Sequence, residues 1–160
     1  FTYGQWREWI DKVRLLAEGY LHLHPNVDQD RWVSEFSQYD AGWLHFFQSE
    51  NGGDIRRSNW DDLNYPARIS TLVAAGLPVL QRDNPGAVVA TQALARTHDI
   101  GIFFMDMEQL RVQLRDEERM AVLHDNVWRQ REHFVFDYHA DRLIAFFRQV
   151  IATCGGRSGR

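Results

Sequence analysis

Residues 64–81 read NYPARISTLVAAGLPVLQ, and this stretch predicts a helix followed by a buried strand. Pro66 suits the first turn of a helix, because the N–H that proline lacks would have no partner there. Ile69 and Val73 share one helical face. The apolar run from Leu77 to Leu80 is typical of a strand that is covered on both faces, as in a parallel sheet.

The same alternation of helix and strand extends to both sides of this stretch. Three more segments have the alternating or continuous apolar pattern of strands: Tyr20 to His24, Ala41 to Phe47 and Ile100 to Phe104. Segments with helical apolar spacing or strong start signals lie between and around them: Gln5 to Glu18, Asp28 to Gln38, Ala87 to Thr97, Asp106 to Leu114, Asp116 to Phe134 and Tyr138 to Ala152. A helix is expected after the strand Leu77 to Leu80. Its cap and start are predicted by the run Asp83-Asn84-Pro85-Gly86.

This element order predicts an α/β fold. Strands that alternate with helices of these lengths form right-handed crossovers and a parallel sheet with helices on both faces. We expect a Rossmann-like sheet of about four to five strands, with the C-terminal helices packed across it and Leu143, Phe147 and Val150 on a buried stripe. Residues 1–154 are expected to form a single domain, and residues 155–160 a disordered tail.

Composition narrows the possible functions. The net charge of −4 gives no broad basic surface for nucleic acid, so no nucleic-acid partner is expected. The single cysteine, Cys154, excludes an internal disulfide and a thiolate metal cluster. No run of about 18 apolar residues predicts a membrane span. Together these features predict a cytoplasmic protein with no cofactor and no bound metal.

The start of the helix at Pro66 is the strongest candidate for a ligand site. Ligands of open α/β sheets bind beyond the carboxyl ends of the strands, and the loop from Gln48 to Pro66 lies there in this fold. The free N–H groups at a helix start attract anions, and the guanidinium of Arg68 adds a fork that matches phosphate. In the simpler interpretation, Pro66 merely begins a helix and Arg68 is a solvated side chain.

Several motifs resemble the C-terminal domain of GT-B glycosyltransferases, in particular the retaining group-1 or family 4 type. In that family a proline and a basic residue open a helix that ends in an A-x-G-x-P-V strand entry, as in NYPARISTLVAAGLPVLQ. The likeness continues through RTHDIGIFFMDMEQL and FVFDYHADRLIAFFRQVI, and upstream through YLHLHP, WVSEF and YDAGWLHF. It covers roughly residues 20 to 151.

The resemblance implies a bacterial hexosyltransferase-like function in carbohydrate biosynthesis. The chain would bind a UDP- or GDP-sugar by its diphosphate, and an N-terminal domain of the same enzyme would bind the acceptor. The isolated domain would therefore be inactive, and any membrane contact would be made by the missing part. The implied nucleotide-sugar-binding residues are Gly4, His24, Pro25, Trp60, Asp62, Asn64, Tyr65, Pro66, Arg68 and Thr71. No catalytic residue is assigned.

The sequence also departs from the family pattern. Many retaining members carry two glutamates eight residues apart, the second of which binds the ribose. Thr71 occupies the second position here, and the first falls near Leu63, beside Asp61 and Asp62. The family's glycine-rich turn has only Gly4 as a remnant. A non-catalytic α/β interaction module of the same ancestry is therefore the alternative.

Three other patterns each have two interpretations. Asp28-Gln29-Asp30 matches the metal-binding D-x-D pattern, but two aspartates at a helix start are also ordinary caps. His22 and His24 lie on one face of the predicted strand, so a metal site with His45 as third ligand, or a hydrolase using Asp28, is a further possibility. Trp60 either stacks on a base or sugar ring or packs a loop onto the core.

Overall fold

The computed structural model describes residues 3–24 and 26–155, and the helices surround a small parallel sheet. The strands are β1 Gly42–His45, β2 Val79–Arg82 and β3 Gly101–Phe104. The α-helices are α1 Tyr3–Leu16, α2 Trp32–Phe36, α3 Trp60–Leu63, α4 Arg68–Ala74, α5 Ala90–Thr97, α6 Met107–Leu114, α7 Glu117–Gln130 and α8 Phe136–Gly155. Short 3-10 turns occur at Gln29–Arg31, Ile55–Arg57 and Arg131–Phe134.

The sheet has the strand order β1-β2-β3, and both pairs of neighbours are parallel. Helices α3 and α4 connect β1 to β2, and α5 connects β2 to β3. The α/β class and the parallel sheet are thus confirmed. The expected four to five strands are corrected to three within the described residues.

Apolar residues pack on both faces of the sheet. One cluster joins Leu44 and Val79 to Ile69 and Val73 of α4. The other joins Ile102 and Phe104, together with Leu80, to side chains of α6 and α7. Successive strand residues point to opposite faces, so β2 contributes to both clusters, through Val79 and Leu80. Helix α4 packs in the first cluster, and α6 and α7 pack in the second, so helices cover both faces of the sheet.

The quoted stretch folds as its residues predict. Helix α4 ends at Gly76, whose φ of +82° is the left-handed conformation that favours glycine. The Leu77 N–H donates to the Leu72 carbonyl and the Gly76 N–H to the Val73 carbonyl, both at 3.0 Å, which is a Schellman motif. The chain then enters β2 directly. Leu72 of α4 packs closely against Gly42 of β1. A Cβ atom at position 42 would lie 2.5 Å from the Cδ2 atom of Leu72.

The structure corrects three predicted elements. Tyr20 to His24 is a turn followed by irregular backbone rather than a strand, and its side chains are exposed. Its alternation lacks the neighbouring strand that a β-strand needs for its hydrogen bonds. Asp83 to Gly86 does not start a helix, because α5 begins only at Ala90. The third correction concerns α8, whose predicted buried residues Leu143, Phe147 and Val150 are 38%, 53% and 40% exposed.

Two observations bear on the termini and on membranes. Within the described part of the chain, no helix combines the length and the hydropathy that a membrane crossing requires. The predicted disordered tail lies outside the described residues from 156 onward, and the last described residue, Gly155, ends α8.

Candidate functional site

The loops that follow β1 and β2 are joined by two asparagines. Asn51 is buried, and its side-chain amide bonds the backbone of Val88. Asn84 is also buried, and its Oδ1 accepts from the Ser49 N–H at 2.7 Å. Its backbone N–H and carbonyl bond the side chain of Gln92. The carboxyl edge of the sheet is therefore rigid, and a small cavity of about 180 Å³ beside Arg82 and Asn84 is the opening found there.

A buried polar cluster lies where β1 and β2 end. The imidazole Nε2 of His45 lies 2.9 Å from Gln81 Oε1 and 2.8 Å from Thr91 Oγ1. Because an amide oxygen only accepts, Nε2 carries the proton and Nδ1 is the bare nitrogen. His45 Nδ1 and Gln81 Nε2 are both buried without a hydrogen-bond partner among the described residues. Burial lowers the pKa of His45, the Gln81 bond opposes this, and the Arg68 charge lowers the pKa further.

The side chain of Asp62 caps the start of helix α3 and is not free to bind a ligand. It is buried, and its Oδ2 accepts from the Asn59 N–H at 3.0 Å, while the Asp62 N–H donates to Asn59 Oδ1 at 3.1 Å. This is a capping box that begins α3. Burial by itself raises the pKa of Asp62, but the Ser49 side chain, the Asn59 N–H and Asn51 together hold it below its usual value. Oδ2 is thus used internally, whereas Oδ1 is buried without a hydrogen-bond partner among the described residues.

The start of α4 offers fewer free amides than expected. The Ile69 N–H donates to the Pro66 carbonyl at 3.0 Å, and the Ser70 N–H donates to the Ala67 carbonyl at 3.2 Å. These two amides are therefore already paired in a tight turn, which corrects the expected row of free N–H groups. Arg68 instead points toward the sheet, where its Nη2 donates to the carbonyl oxygen of Leu44.

A cavity of about 490 Å³ lies beside β1, and Arg68 lines it. His24 also lines this cavity, and its Nε2 lies 3.3 Å from the hydroxyl of Tyr39. The walls are mostly apolar and aromatic, and they include Trp32 and Trp43. Ala41, Gly42 and Trp43, at the amino end of β1, line the cavity, and none of the described residues in the loops after β1 and β2 does, which corrects the predicted location of the Arg68 site.

The other predicted site residues do not converge on Arg68. Trp60 is 77% exposed, so the interpretation that it packs a loop onto the core is wrong. Tyr65 lines a different groove, of about 740 Å³, together with His98 and Tyr138. Asn64 ends α3, where its N–H donates to the Trp60 carbonyl.

The remaining members of the predicted set have structural positions. Thr71 is half-buried within α4, where its carbonyl accepts from the Ala75 N–H. The Pro66 carbonyl takes part in the turn that begins α4. Gly4 belongs to the first turn of α1 rather than to a loop. Pro25 lies outside the described residues.

The candidate metal ligands are also located. Asp28 occupies the cap position of the turn Gln29–Arg31, although its side chain makes no cap hydrogen bond. His24 contacts Tyr39, and His45 lies in the polar cluster at the end of β1. The described residues bring no three metal-ligating side chains into one group.

Sequence reasoning missed Asn51, Gln81 and Asn84, which are all at least 96% buried. Polar residues in a loop or at a strand end carry no periodic signal, and their burial depends on which loops the fold brings together. The only sequence signal was Asn51 beside two glycines, Gly52 and Gly53, which marks a turn.

No protein-family model matches this sequence, no curated protein is significantly similar to it, and no solved structure matches its fold significantly. The described residues thus form an α/β protein with a three-stranded parallel sheet. The charged side chains of Arg68 and Glu35 both line its cavity of about 490 Å³ beside β1.

Proposed function

We propose that this chain is a Rossmann-like donor-binding domain of a GT-B glycosyltransferase of the retaining type. It binds a UDP- or GDP-sugar, and an acceptor-binding domain of the same enzyme completes the reaction. The observation that carries this proposal is the guanidinium of Arg68 in a largely aromatic and apolar cavity. Ligand sites commonly combine such walls with a few fixed polar groups, and their volumes are about 300 to 1,000 Å³.

The orientation of Arg68 supports a role in phosphate binding. Its Nη2 is anchored on the Leu44 carbonyl, so the side chain loses little further freedom when it binds a ligand. A guanidinium has five N–H donors, and the anchor uses one of them. The other donors suit the oxygens of a diphosphate, which a planar fork binds in pairs.

The walls of the cavity suit the rest of a nucleotide. Trp32 and Trp43 offer aromatic surfaces for a base, and the His24 imidazole at the same cavity offers a hydrogen bond. Asp62 does not bind the ribose in this proposal, because its carboxylate is buried in the capping box of α3. Ribose recognition therefore uses a group other than the glutamate of the family pattern.

The chemistry assigned to the chain is charge stabilisation. As the anomeric carbon bonds to the acceptor oxygen, its bond to the diphosphate breaks, and negative charge grows on the departing phosphate oxygen. The proton of the acceptor hydroxyl passes to the leaving diphosphate. A guanidinium that already lies at this oxygen stabilises the growing charge. We assign no catalytic base. The isolated chain should therefore bind the donor and transfer nothing.

Calorimetric titration with UDP, GDP, UDP-glucose and GDP-mannose, with and without Mg²⁺, tests the proposal. We expect metal-independent binding that Arg68→Ala abolishes and Arg68→Lys weakens, because lysine keeps the charge but loses the fork. Arg56→Ala is the matched control, since Arg56 is exposed and pairs with Asp54 in the neighbouring loop. Binding that survives Arg68→Ala, or that Arg56→Ala weakens equally, would contradict the proposal.

The second candidate is a non-catalytic interaction module. It is favoured by the paired amides of Ile69 and Ser70, which reduce the anion site at α4, and by the exposed apolar surface of α8. Silence toward every nucleotide in the same titration would support this candidate against the first.

A further inference from the structure

Helix α8 carries a continuous apolar stripe that the other described residues leave largely exposed. Its first turn packs near the turn Arg131–Phe134, where His139 Nε2 donates to the His133 carbonyl at 2.8 Å. From residue 141 to residue 153, every side chain is exposed. With 20 residues, the helix extends about 30 Å. Most of its length therefore presents exposed side chains.

The stripe has the spacing of a helix that packs on another helix. Phe136, Ala140, Leu143, Phe147 and Val150 follow one another at alternating intervals of four and three residues. This is the heptad pattern of a coiled-coil seam. Three side chains with exposures of 46%, 58% and 71% flank the seam: Ile144, Phe146 and Ile151.

The stripe is also symmetric about its centre, which lies level with Ala145. In an antiparallel pair of α8 helices with a two-fold axis at this level, Leu143 lies opposite Phe147 of the second copy. Ala140 likewise lies opposite Val150. Each layer thus combines a larger side chain with a smaller one, which is how helix interfaces interdigitate. The same face serves both partners, as a two-fold interface requires.

We infer that α8 is a self-association helix, and that two copies of this chain pair through α8 in antiparallel orientation. Several hundred Å² of apolar surface would be covered on each copy, against roughly 800 Å² per partner in a standard interface.

Charge favours a second copy over a membrane surface. Helices that lie on membranes are typically rich in lysine and arginine on their polar face. The polar face of α8 balances Asp137 and Asp141 against Arg142 and Arg148. In the antiparallel pair, Arg142 is level with Arg148 of the second copy, and Asp141 with Gln149. All four side chains are exposed and lie outside the apolar stripe, so the two arginines are on the outer surface of the pair.

Sedimentation equilibrium of the 160-residue chain at micromolar concentrations tests the inference. We expect a mass twice that of the chain, and Phe147→Asp should weaken the dimer by at least about tenfold. Val122→Asp is the matched control, because Val122 is 48% exposed on α7 and Phe147 is 53% exposed. Both variants should keep the helical circular dichroism of the original chain.

Disulfide trapping tests the orientation. In a Cys154→Ser background, Leu143→Cys and Phe147→Cys should crosslink when the two proteins are mixed, and neither should crosslink efficiently alone. A parallel pair would instead crosslink Leu143→Cys with itself and would overturn the orientation. The inference would be overturned if the chain stayed monomeric at concentrations 100-fold above the micromolar range. It would also be overturned if such a monomeric chain sedimented with phosphatidylserine vesicles.

Discussion

The side-chain amide of Asn51 pairs with both backbone groups of Val88: Nδ2 donates to the Val88 carbonyl at 2.8 Å, and Oδ1 accepts from the Val88 N–H at 3.0 Å. The same Oδ1 accepts from the Gly53 N–H at 3.0 Å. A buried side chain thus bonds two loops in the way that a neighbouring strand would. These loops follow β1 and β2, so Asn51 sets the shape of the carboxyl edge of the sheet.

Replacing Asn51 tests this role. We expect Asn51→Ala to lower the free energy of unfolding by about 2 to 3 kcal/mol, because it leaves buried backbone groups without partners. Asn51→Asp should be no better, since it loses the donor and buries a charge. Asn26→Ala, at an exposed position, should change stability by less than about 0.5 kcal/mol in urea unfolding. Equal effects at the two asparagines would refute the role.

Two glycines with similar backbones make a matched pair. Gly53 has a φ of +84°, and a Cβ there would lie 2.8 Å from the Gly86 carbonyl oxygen. Gly86 has a φ of +74°, but nothing lies within 4 Å of a Cβ built on it. Gly86→Ala should therefore cost about 1 kcal/mol for its backbone conformation, and Gly53→Ala should cost about 1 to 3 kcal/mol more for the contact. Thermal unfolding measures both variants, and a smaller loss at Gly53 would contradict the close approach.

The half-buried imidazole of His45 predicts a dependence of stability on pH. Burial lowers its pKa below the usual 6.5, so the unfolded chain takes up a proton more readily than the folded one. The contribution of His45 is present at neutral pH and is lost as the pH falls from 6.5 toward the folded pKa. His45→Asn should therefore flatten the fall in stability between pH 7 and 5. The same slope in His45→Asn as in the original chain would contradict this role.

Asp62 predicts a dependence at lower pH. Its folded pKa is below the usual 3.8, so its contribution is present above that value and is lost as the pH falls through the folded pKa. At neutral pH, Asp62→Ala should cost about 1 to 2 kcal/mol through the loss of the capping box of α3. The difference from the original chain should shrink below pH 4. A constant difference down to pH 2 would show that the charge plays no part.

Much of the fold was predictable because local residue patterns decide local structure. The helix and strand of residues 64–81 formed as expected, and Gly76 ended α4 where its left-handed backbone conformation was needed. Asp106 and Asp116 accept cap hydrogen bonds at the starts of α6 and α7. In each of these cases, the partners lie within a few residues along the chain.

The candidate site was less predictable, because its parts come from distant segments. Arg68 was identified, but the sequence placed it over free amides at a helix start, whereas the folded chain directs it to the Leu44 carbonyl 24 residues away. Tyr65, three residues before Arg68, lines another groove. Residues that are close in sequence can point to different cavities when a turn lies between them. The apolar periodicity of the sequence does not predict such a change of direction.

The sequence by itself determined the alternation of helices and strands, the parallel class of sheet and the helix ends, since these depend on side-chain periodicity and backbone conformations. Only the tertiary structure decided the number of strands, the burial of Asn51 and Gln81, and the exposure of the α8 stripe. A strand needs a neighbour, a buried amide needs a partner from another loop, and an apolar face needs a surface to pack against. Each of these is a relation between segments that meet only in the folded chain.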